Sequence, residues 1–581
     1  MSTLIERLVS RFEGAVLELF PDFDLASCPM EITTSTRAEF GHYQCNAAMK
    51  MARPLKLSPR DIAARLIGCV QNEDEMIANM EIAGPGFINI TLNAAFLSRW
   101  VDSQLRDPRL GVPLPKKSEK IIVEFSSPNT AKELHVGHLR STIIGDCLAR
   151  LFEFLGYEVL RLNHIGDWGT QFGMLIAHMR EKHPHVLEGI EMTDLSHLVT
   201  WYKESKKRFD DDADFKKRAQ EAVVELQQGV PEVRRSWEIL CEISRKAYWE
   251  IYELMGVQLV ERGESFYNPM LAQIVEDCEK KELVVNSGGA KCIFMEGFIN
   301  REGDPLPMIL QKSDGGYNYD TTDMAAMKHR VSEEKADRII VVTDLGQKLH
   351  FQMLEKAAKM AGYLPDHVRF DHVTFGMVLD MEGRKFRTRS GETEKLVDLL
   401  YTAIERSQEI INERNPEMKA QEKKNLARVI GVGAVKYADL ACNRNSDYTF
   451  SYEKMLRFDG NTAVYLLYSY VRINGIKRKV GRDADQVLRE KEIILEHPSE
   501  VELGLHLAQF PEVLAALSED LSPNRLADYL YQLANYFNAF FRDCRVEGSD
   551  REGERLLLCE IAAKILARGL HLLGLELVER M

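Results

Sequence analysis

Apolar positions recur with a helical period from the start of the chain: Leu4, Ile5, Leu8, Val9 and Phe12 fall on one face and predict an amphipathic helix ending near Phe20. A second helix start is written in Leu57-Ser58-Pro59-Arg60-Asp61, with Ser58 as N-cap, Pro59 in the first turn and Asp61 at the positive helix end. Over Met80–Leu92 the period changes to two, broken at Gly84-Pro85-Gly86, which predicts strands meeting at a tight turn. Pro and Lys punctuate 107–116, a linker. Residues 1–115 therefore read as a small α+β unit.

Beyond the linker the run from Lys120 through Ile121-Ile122-Val123 predicts a buried strand. A Pro-broken loop follows, then a helix with Leu139, Ile143, Leu148 and Leu151 on its apolar stripe. Strand, loop and helix in that order are the pattern of a nucleotide-binding α/β sheet. A second strand, Tyr157–Asn163, leads into the turn Ile165-Gly166-Asp167-Trp168-Gly169. Residues 194–255 read as charge-rich helix, and 283–293 and 307–310 as short strands. The run Arg338–Thr343 resumes the parallel sheet after an insertion of about 190–315. From 459 to 581 Leu, Ala and Tyr repeat at helical spacing, which predicts a C-terminal bundle. Residues 396–458 form a helical stem before it.

Composition narrows the class. A chain of 581 residues with 45% hydrophobic and 28% charged residues is a multi-domain globular protein, which excludes fibrous and disordered classes. The ten cysteines are scattered with no C-x-x-C pair, against a zinc site or disulfide framework. No apolar run spans a bilayer and no secretory core follows Met1, so the expected location is the cytoplasm. A net charge of −14 argues against indiscriminate adhesion to nucleic acid while leaving room for a local basic face. The basic runs Lys206-Lys207-Arg208 and Lys216-Lys217-Arg218 read as a solvated helical face.

The sharpest chemical signal is His135-Val136-Gly137-His138 at the entrance to the helix after the first buried strand. A helix N-terminus presents unpaired N–H groups to a polyphosphate, and two imidazoles three residues apart can donate to charge developing on an α-phosphate. Gly137 leaves room for a ribose or base. A second element, Arg384-Lys385-Phe386-Arg387-Thr388-Arg389-Ser390-Gly391, is a basic loop suited to departing phosphates.

Together with their surroundings these pieces resemble one family. The runs VEFSSPNTAKELHVGHLRST (123–142), NHIGDWGTQFG (163–173), GESFYN (263–268), FRTRSGET (386–393), VGAVKYADL (432–440) and FDGNTAVYLLY (458–468) are similar to the arginyl-tRNA synthetases of class I. The N-terminal GHYQCNAAM and AGPGFIN and the closing GLELVERM extend the resemblance end to end. It implies a Rossmann-like parallel-sheet catalytic domain over 116–395, an additional N-terminal α+β domain that touches the tRNA core, and an α-helical anticodon-binding domain over 459–581. The implied reaction activates L-arginine with ATP and Mg2+, releases pyrophosphate, and transfers arginine to the 2′-hydroxyl of the terminal adenosine of arginine tRNA. The implied enzyme is a monomer without a resident metal or prosthetic group, and it needs bound tRNA to activate the amino acid.

By the same resemblance His135 and His138 stabilise the phosphoryl transition state, while Gly137 and Ser390 bind ATP. Arg389 stands where class I enzymes generally carry the second lysine of the signature loop, beside Arg387. Lys132, just ahead of the histidine motif, compensates. Glu124, Ser127, Asn129, Tyr319, Asp323 and Gln347 fall at arginine-binding positions, with Asp323 as the carboxylate fork for the guanidinium. Tyr465, Tyr468 and Arg472 share a helix face suited to stacking anticodon bases, Arg478 adds backbone charge, and Met581 is a further tRNA contact. Two other readings stay open: another H-x-G-H nucleotidyl transferase or class I synthetase, and a catalytically silent tRNA-binding homologue.

Overall fold

The computed structural model describes residues 2–35, 37–72, 74–300, 302–385 and 394–581. Its first helix, Leu4–Leu19, opens with a reciprocal cap in which Thr3 accepts from the Glu6 N–H and Glu6 accepts from the Thr3 N–H. Ser58 caps Pro59–Cys69 as its position suggests, accepting from the Asp61 N–H. These helices cover an antiparallel sheet of order Ile32–Thr34, Tyr43–Cys45, Phe87–Leu92, Ile77–Ala83. Helix Ala94–Arg106 then docks the unit on the C-terminal helices. There Asp102 and Ser98 accept from the Ile493 and Leu495 N–H groups, and Gln104 donates to the Leu507 carbonyl.

The central sheet has five strands, all parallel, in the order Arg369–Phe375, Arg338–Asp344, Lys120–Glu124, Glu158–Asn163, Val260–Glu261. The two central strands are buried on both faces because helices pack on each side. Chain order reverses between Lys120–Glu124 and Arg338–Asp344, so a crevice opens beyond their carboxyl ends, where such sheets take ligands. Within the span expected as an insertion, Val260–Glu261 returns to the sheet edge. The rest of that span forms helices such as Leu195–Asp211 and Pro231–Met255 and a three-stranded antiparallel sheet.

Helices Leu396–Arg414 and Ala420–Leu440 pack as a pair against helix Val136–Leu155 and lead into the C-terminal bundle, in which Ala463–Val480, Asn524–Asp543 and Glu552–Leu572 are the long helices. The fold is thus α/β with a parallel sheet, a separate α+β N-terminal unit and a helical C-terminal region. Among the described residues no helix is long and apolar enough to cross a membrane.

Candidate functional site

A cavity of about 640 Å³ occupies the crevice. Its wall includes Glu124, Ser127, Asn129, His135, Gly137, His138, Tyr319, Asp323 and Gln347, so nine residues singled out in the sequence meet in one place.

The loop from the first central strand to its helix is bent sharply: Ser126, Ser127 and Ala131 all take positive φ (70°, 47° and 59°), costly for residues with a Cβ by roughly 1 kcal/mol or more each. Buried bonds hold it there. Ser126 Oγ and Tyr252 OH are 2.7 Å apart, Tyr248 OH donates to the Asn129 and Lys132 carbonyls, and the Asn129 backbone bridges to Gly166. A Cβ on Gly166 would overlap the Asn129 side chain, which explains the glycine in the second motif.

Helix Val136–Leu155 begins with an unusual cap made of the two histidines. His135 Nδ1 accepts from the Gly137 N–H at 3.1 Å, and His138 Nδ1 accepts from the His135 N–H at 3.1 Å. Each imidazole therefore carries its proton on Nε2, so both are N–H donors at the cavity wall, with ring centres 4.1 Å apart. Burial is the main cause that depresses both pKa values. For His135 the charge of Lys385 adds to it, and for His138, which falls to about 3, His135 and Lys132 add to it. Both rings are neutral donors at neutral pH. A Cβ on Gly137 would press on His135 Cε1 at 2.9 Å, so the glycine serves the cap itself as well as the space beside it.

At the other end of the cavity lie carboxylates. Tyr319 and Asp323 share helix Tyr319–Ser332, whose N-terminal end faces the crevice. Asp323 bonds His350 Nε2 at 2.6 Å, and His350 Nδ1 lies 3.3 Å from Asp320, so the ring is clamped between two carboxylates. Burial works against that ring's charge, but the two bonds outweigh it and lift its pKa to about 9. Burial likewise pushes the Asp323 carboxyl up, and His350, His164 and Arg330 more than reverse that and hold it below its ordinary value. Asp323 is thus an anion with one oxygen engaged by an imidazolium and the other 3.8 Å from His164 Nε2. Glu124 lines the cavity but is ion-paired at 2.5 Å with the buried Arg330.

Two further groups on this wall were not singled out from the sequence, Glu264 and His350, and Lys385 of the basic loop joins them there. Asp167 of the Gly-rich turn seats Glu264 by accepting from the Ser265 N–H and hydroxyl. Among the described residues the Glu264 carboxyl has no hydrogen-bond or cationic partner. Burial, then the charges of Asp323 and Asp167, raise its pKa to about 8. An acid that is neutral only for want of a cation is suited to receive one.

Residues 5–92 match the family described as "Arginyl tRNA synthetase N terminal domain", 101–452 "tRNA synthetases class I (R), catalytic domain", and 466–581 "DALR anticodon binding domain". The chain is 58% identical to the arginine–tRNA ligase of Protochlamydia amoebophila (strain UWE25) and 51% identical to that of Chlamydia abortus, each over the full length of both chains. A crystal structure of arginyl-tRNA synthetase from Plasmodium falciparum superposes with a TM-score of 0.88 at 32% identity, covering both chains completely. The chain belongs to the arginyl-tRNA synthetase family.

In this synthetase Lys132 is exposed, and its charge reaches both histidines. Arg387, Arg389 and Ser390 lie outside the described residues. The segment that follows them is tied to the histidine motif: Leu396 N–H donates to the Leu134 carbonyl, and Lys395 pairs with Glu133 at 2.8 Å. The candidate tRNA contacts lie elsewhere, on helix Ala463–Val480 and at the chain end. Tyr468 and Arg478 are exposed. Tyr465 and Arg472 are half-buried, and both bond Asn538 on the neighbouring helix. Met581 packs against the main core.

The carboxyl of Glu264 is expected to make arginine capture pH-dependent. Its pKa in the empty site is about 8, so below that pH it is protonated and gives a guanidinium no charge. As pH rises through about 8 the anion forms, and the KM for arginine is expected to fall across that window. Glu264→Gln is expected to flatten the dependence and raise KM at high pH. Steady-state kinetics from pH 6.5 to 9 in both proteins check this, and equal slopes would sink it.

Proposed function

We propose that the chain is an arginine–tRNA ligase in which a neutral histidine pair and an anionic pocket act at opposite ends of one cavity. The observation that carries this reading is the shared cavity wall: two Nε2–H donors fixed by the helix cap, and Asp323 with Glu264 facing the same space. Arginine enters with its guanidinium toward Asp323 and Glu264 and Tyr319 beside it. Its carboxylate is then directed toward the helix N-terminus, where ATP as its magnesium complex presents the α-phosphate. Ser127, Asn129, Glu124 and Gln347 line the space between.

The arginine carboxylate attacks the α-phosphorus in line, the bond to the bridging oxygen breaks, and pyrophosphate leaves with that electron pair. The attacking group is already ionised, so no general base is needed. His135 and His138 donate from Nε2 to the charge that grows on the α-phosphate oxygens, with no reorientation because the cap holds both rings. Lys132, Lys385 and the Arg387/Arg389 segment supply positive charge for the departing phosphates. Ser390 and Gly137 complete the ATP contacts. In the second step the terminal 2′-hydroxyl of tRNA attacks the arginyl carbonyl, the bond from that carbon to the phosphate oxygen breaks, and AMP departs with the electron pair as its phosphate takes the hydroxyl proton.

Tyr465, Tyr468, Arg472, Arg478 and Met581 are assigned to tRNA, with Tyr468 and Arg478 the open stacking and phosphate groups. The N-terminal unit, 1–115, meets the tRNA core, and 459–581 takes the anticodon. The enzyme works as a cytoplasmic monomer. The test is ATP–pyrophosphate exchange with each amino acid, with and without arginine tRNA. Exchange with arginine alone among the amino acids, dependent on tRNA, is the expected result. Exchange with another amino acid, or with none, overturns the reading.

A further inference from the structure

The motif Val432–Leu440 carries three polar side chains that the chemistry above does not use: Lys436, Tyr437 and Asp439. All three are buried on helix Ala420–Leu440, and they point to different parts of the molecule. Asp439 meets Arg140 of the histidine-bearing helix, Nε to Oδ2 at 3.0 Å, with both side chains at 1% exposure or less. Lys436 lies 3.9 Å from Asp146 on the same catalytic helix and donates to the Met255 and Gly574 carbonyls. Tyr437 faces the other way, with its hydroxyl on Asn461 and on the Ala527 carbonyl of helix Asn524–Asp543.

Arg140 sits less than one turn after His138, and its guanidinium does more than pair with Asp439. It donates to the carbonyls of Gly376 (2.7 Å), Ser446 (3.2 Å) and Arg444 (3.4 Å), between the rings of Phe375 and Tyr448. Gly376 leads into Val378–Leu379, one flank of the basic loop, which pairs with Tyr448–Thr449. Arg444 in turn donates to the Thr374 and Leu521 carbonyls, and Leu521 belongs to the C-terminal region. One guanidinium thus joins the catalytic helix, the flank of the loop and the turn that rests on the bundle.

A buried ion pair is a poor stabiliser compared with apolar packing of equal volume. What this one does supply is a fixed geometry between elements that must agree. We propose that Arg140 and Asp439 are a positioning pair, linked through Tyr437 to the C-terminal bundle, that sets His135 and His138 against the flank of the basic loop and makes attack on ATP depend on how the bundle is seated. This rests on the ligase reading above and assigns a role to the joint between its two halves.

The test uses the full chain, an arginine tRNA transcript and arginine-dependent ATP–pyrophosphate exchange. Three variants separate positioning from stability: Asp439→Asn, which keeps shape; Arg140→Met with Asp439→Leu, which keeps a packed core; and Tyr437→Phe, which releases only the bonds to the bundle side. Folding is followed by thermal denaturation and tRNA affinity by filter binding. In folded Asp439→Asn and in the double variant, kcat at saturating tRNA is expected to fall about 10- to 100-fold, with tRNA Kd and arginine KM within about twofold of wild type. Tyr437→Phe is expected to lower kcat in the same direction with tRNA Kd unchanged. A kcat within about twofold of wild type in the folded variants overturns the proposal. So does a loss that merely follows the folded fraction, or failure of all three to fold, since the pair is then a stability element. No exchange by the wild type removes the ligase reading and this inference with it, whereas exchange by the wild type with kcat preserved in the variants removes the inference alone.

Discussion

His138→Ala is expected to lower the kcat of arginine-dependent exchange by about 10²- to 10³-fold, with little change in the KM for arginine. The imidazole has two duties here. Its Nε2–H faces the cavity, and its Nδ1 accepts the His135 N–H that would otherwise be an orphan of the helix start. Alanine removes both, leaving the His135 N–H without its acceptor while the His135 ring keeps its bond from the Gly137 N–H. His138→Asn keeps an acceptor and a donor on a shorter arm and is expected to retain more activity. A combined His135→Ala and His138→Ala variant is expected to fall short of the product of the single losses, because both rings act on the same developing charge. Activity within about threefold of wild type in His138→Ala would remove the histidine pair from the mechanism.

The depressed pKa of His138 adds a stability signature with a definite sign. Its folded value, about 3, lies below the ordinary 6.5, so between those values the unfolded chain takes up a proton more readily than the folded one. The contribution is present above pH 6.5 and is lost as pH falls from 6.5 toward 3. Thermal denaturation is expected to show wild type losing stability over that range more steeply than His138→Asn.

Asp323→Asn is expected to raise the KM for arginine about 100-fold or more, equivalent to about 3 kcal/mol, which is the usual consequence of removing one partner of a buried, hydrogen-bonded charge pair. The reason lies in the charge count of the pocket. His350 is cationic between Asp320 and Asp323, so with Asp323 neutralised the remaining aspartate only balances the imidazolium. A guanidinium would then depend on Glu264 alone, whose carboxyl is still pushed above its ordinary value by burial and the charge of Asp167. The loss is expected mainly in KM, because the guanidinium sits far from the reacting phosphorus and is held equally in ground and transition states. Titration of arginine in the exchange assay checks it, and a KM within a few-fold of wild type would remove Asp323 from the pocket.

Much of this was legible in the residues taken in order. Local rules carry the caps, the turn between Ile77–Ala83 and Phe87–Leu92, and the buried strand before the histidine motif, because each depends on neighbours within a few positions. The resemblance located Tyr319, Asp323 and Gln347, which the cavity indeed brings together with the histidines. Glu264 was hidden although its motif was noticed, since an acidic residue in a stretch without periodicity says nothing of its surroundings. Its meaning comes from Asp167 seating it beside Asp323, two contacts distant in sequence. His350 was hidden for a related reason: one histidine at a helix start is unremarkable until two carboxylates from another helix close on it.

The sequence by itself determined the succession of an α+β unit, a strand–loop–helix nucleotide-binding unit and a helical C-terminal region, the chemical character of the two key motifs and the family to which they point, because periodicity, capping and motif spacing are properties of contiguous residues; the short edge strands Val260–Glu261 and Arg369–Phe375 were left to the tertiary structure. Only the tertiary structure decided which imidazole nitrogen carries the proton, which carboxylate is already paired and which is still open, and how Arg140 and Asp439 join the catalytic helix to the stem. Those are questions of desolvation and of charge held at a few ångströms, and they have answers only once distant segments share one low-dielectric space.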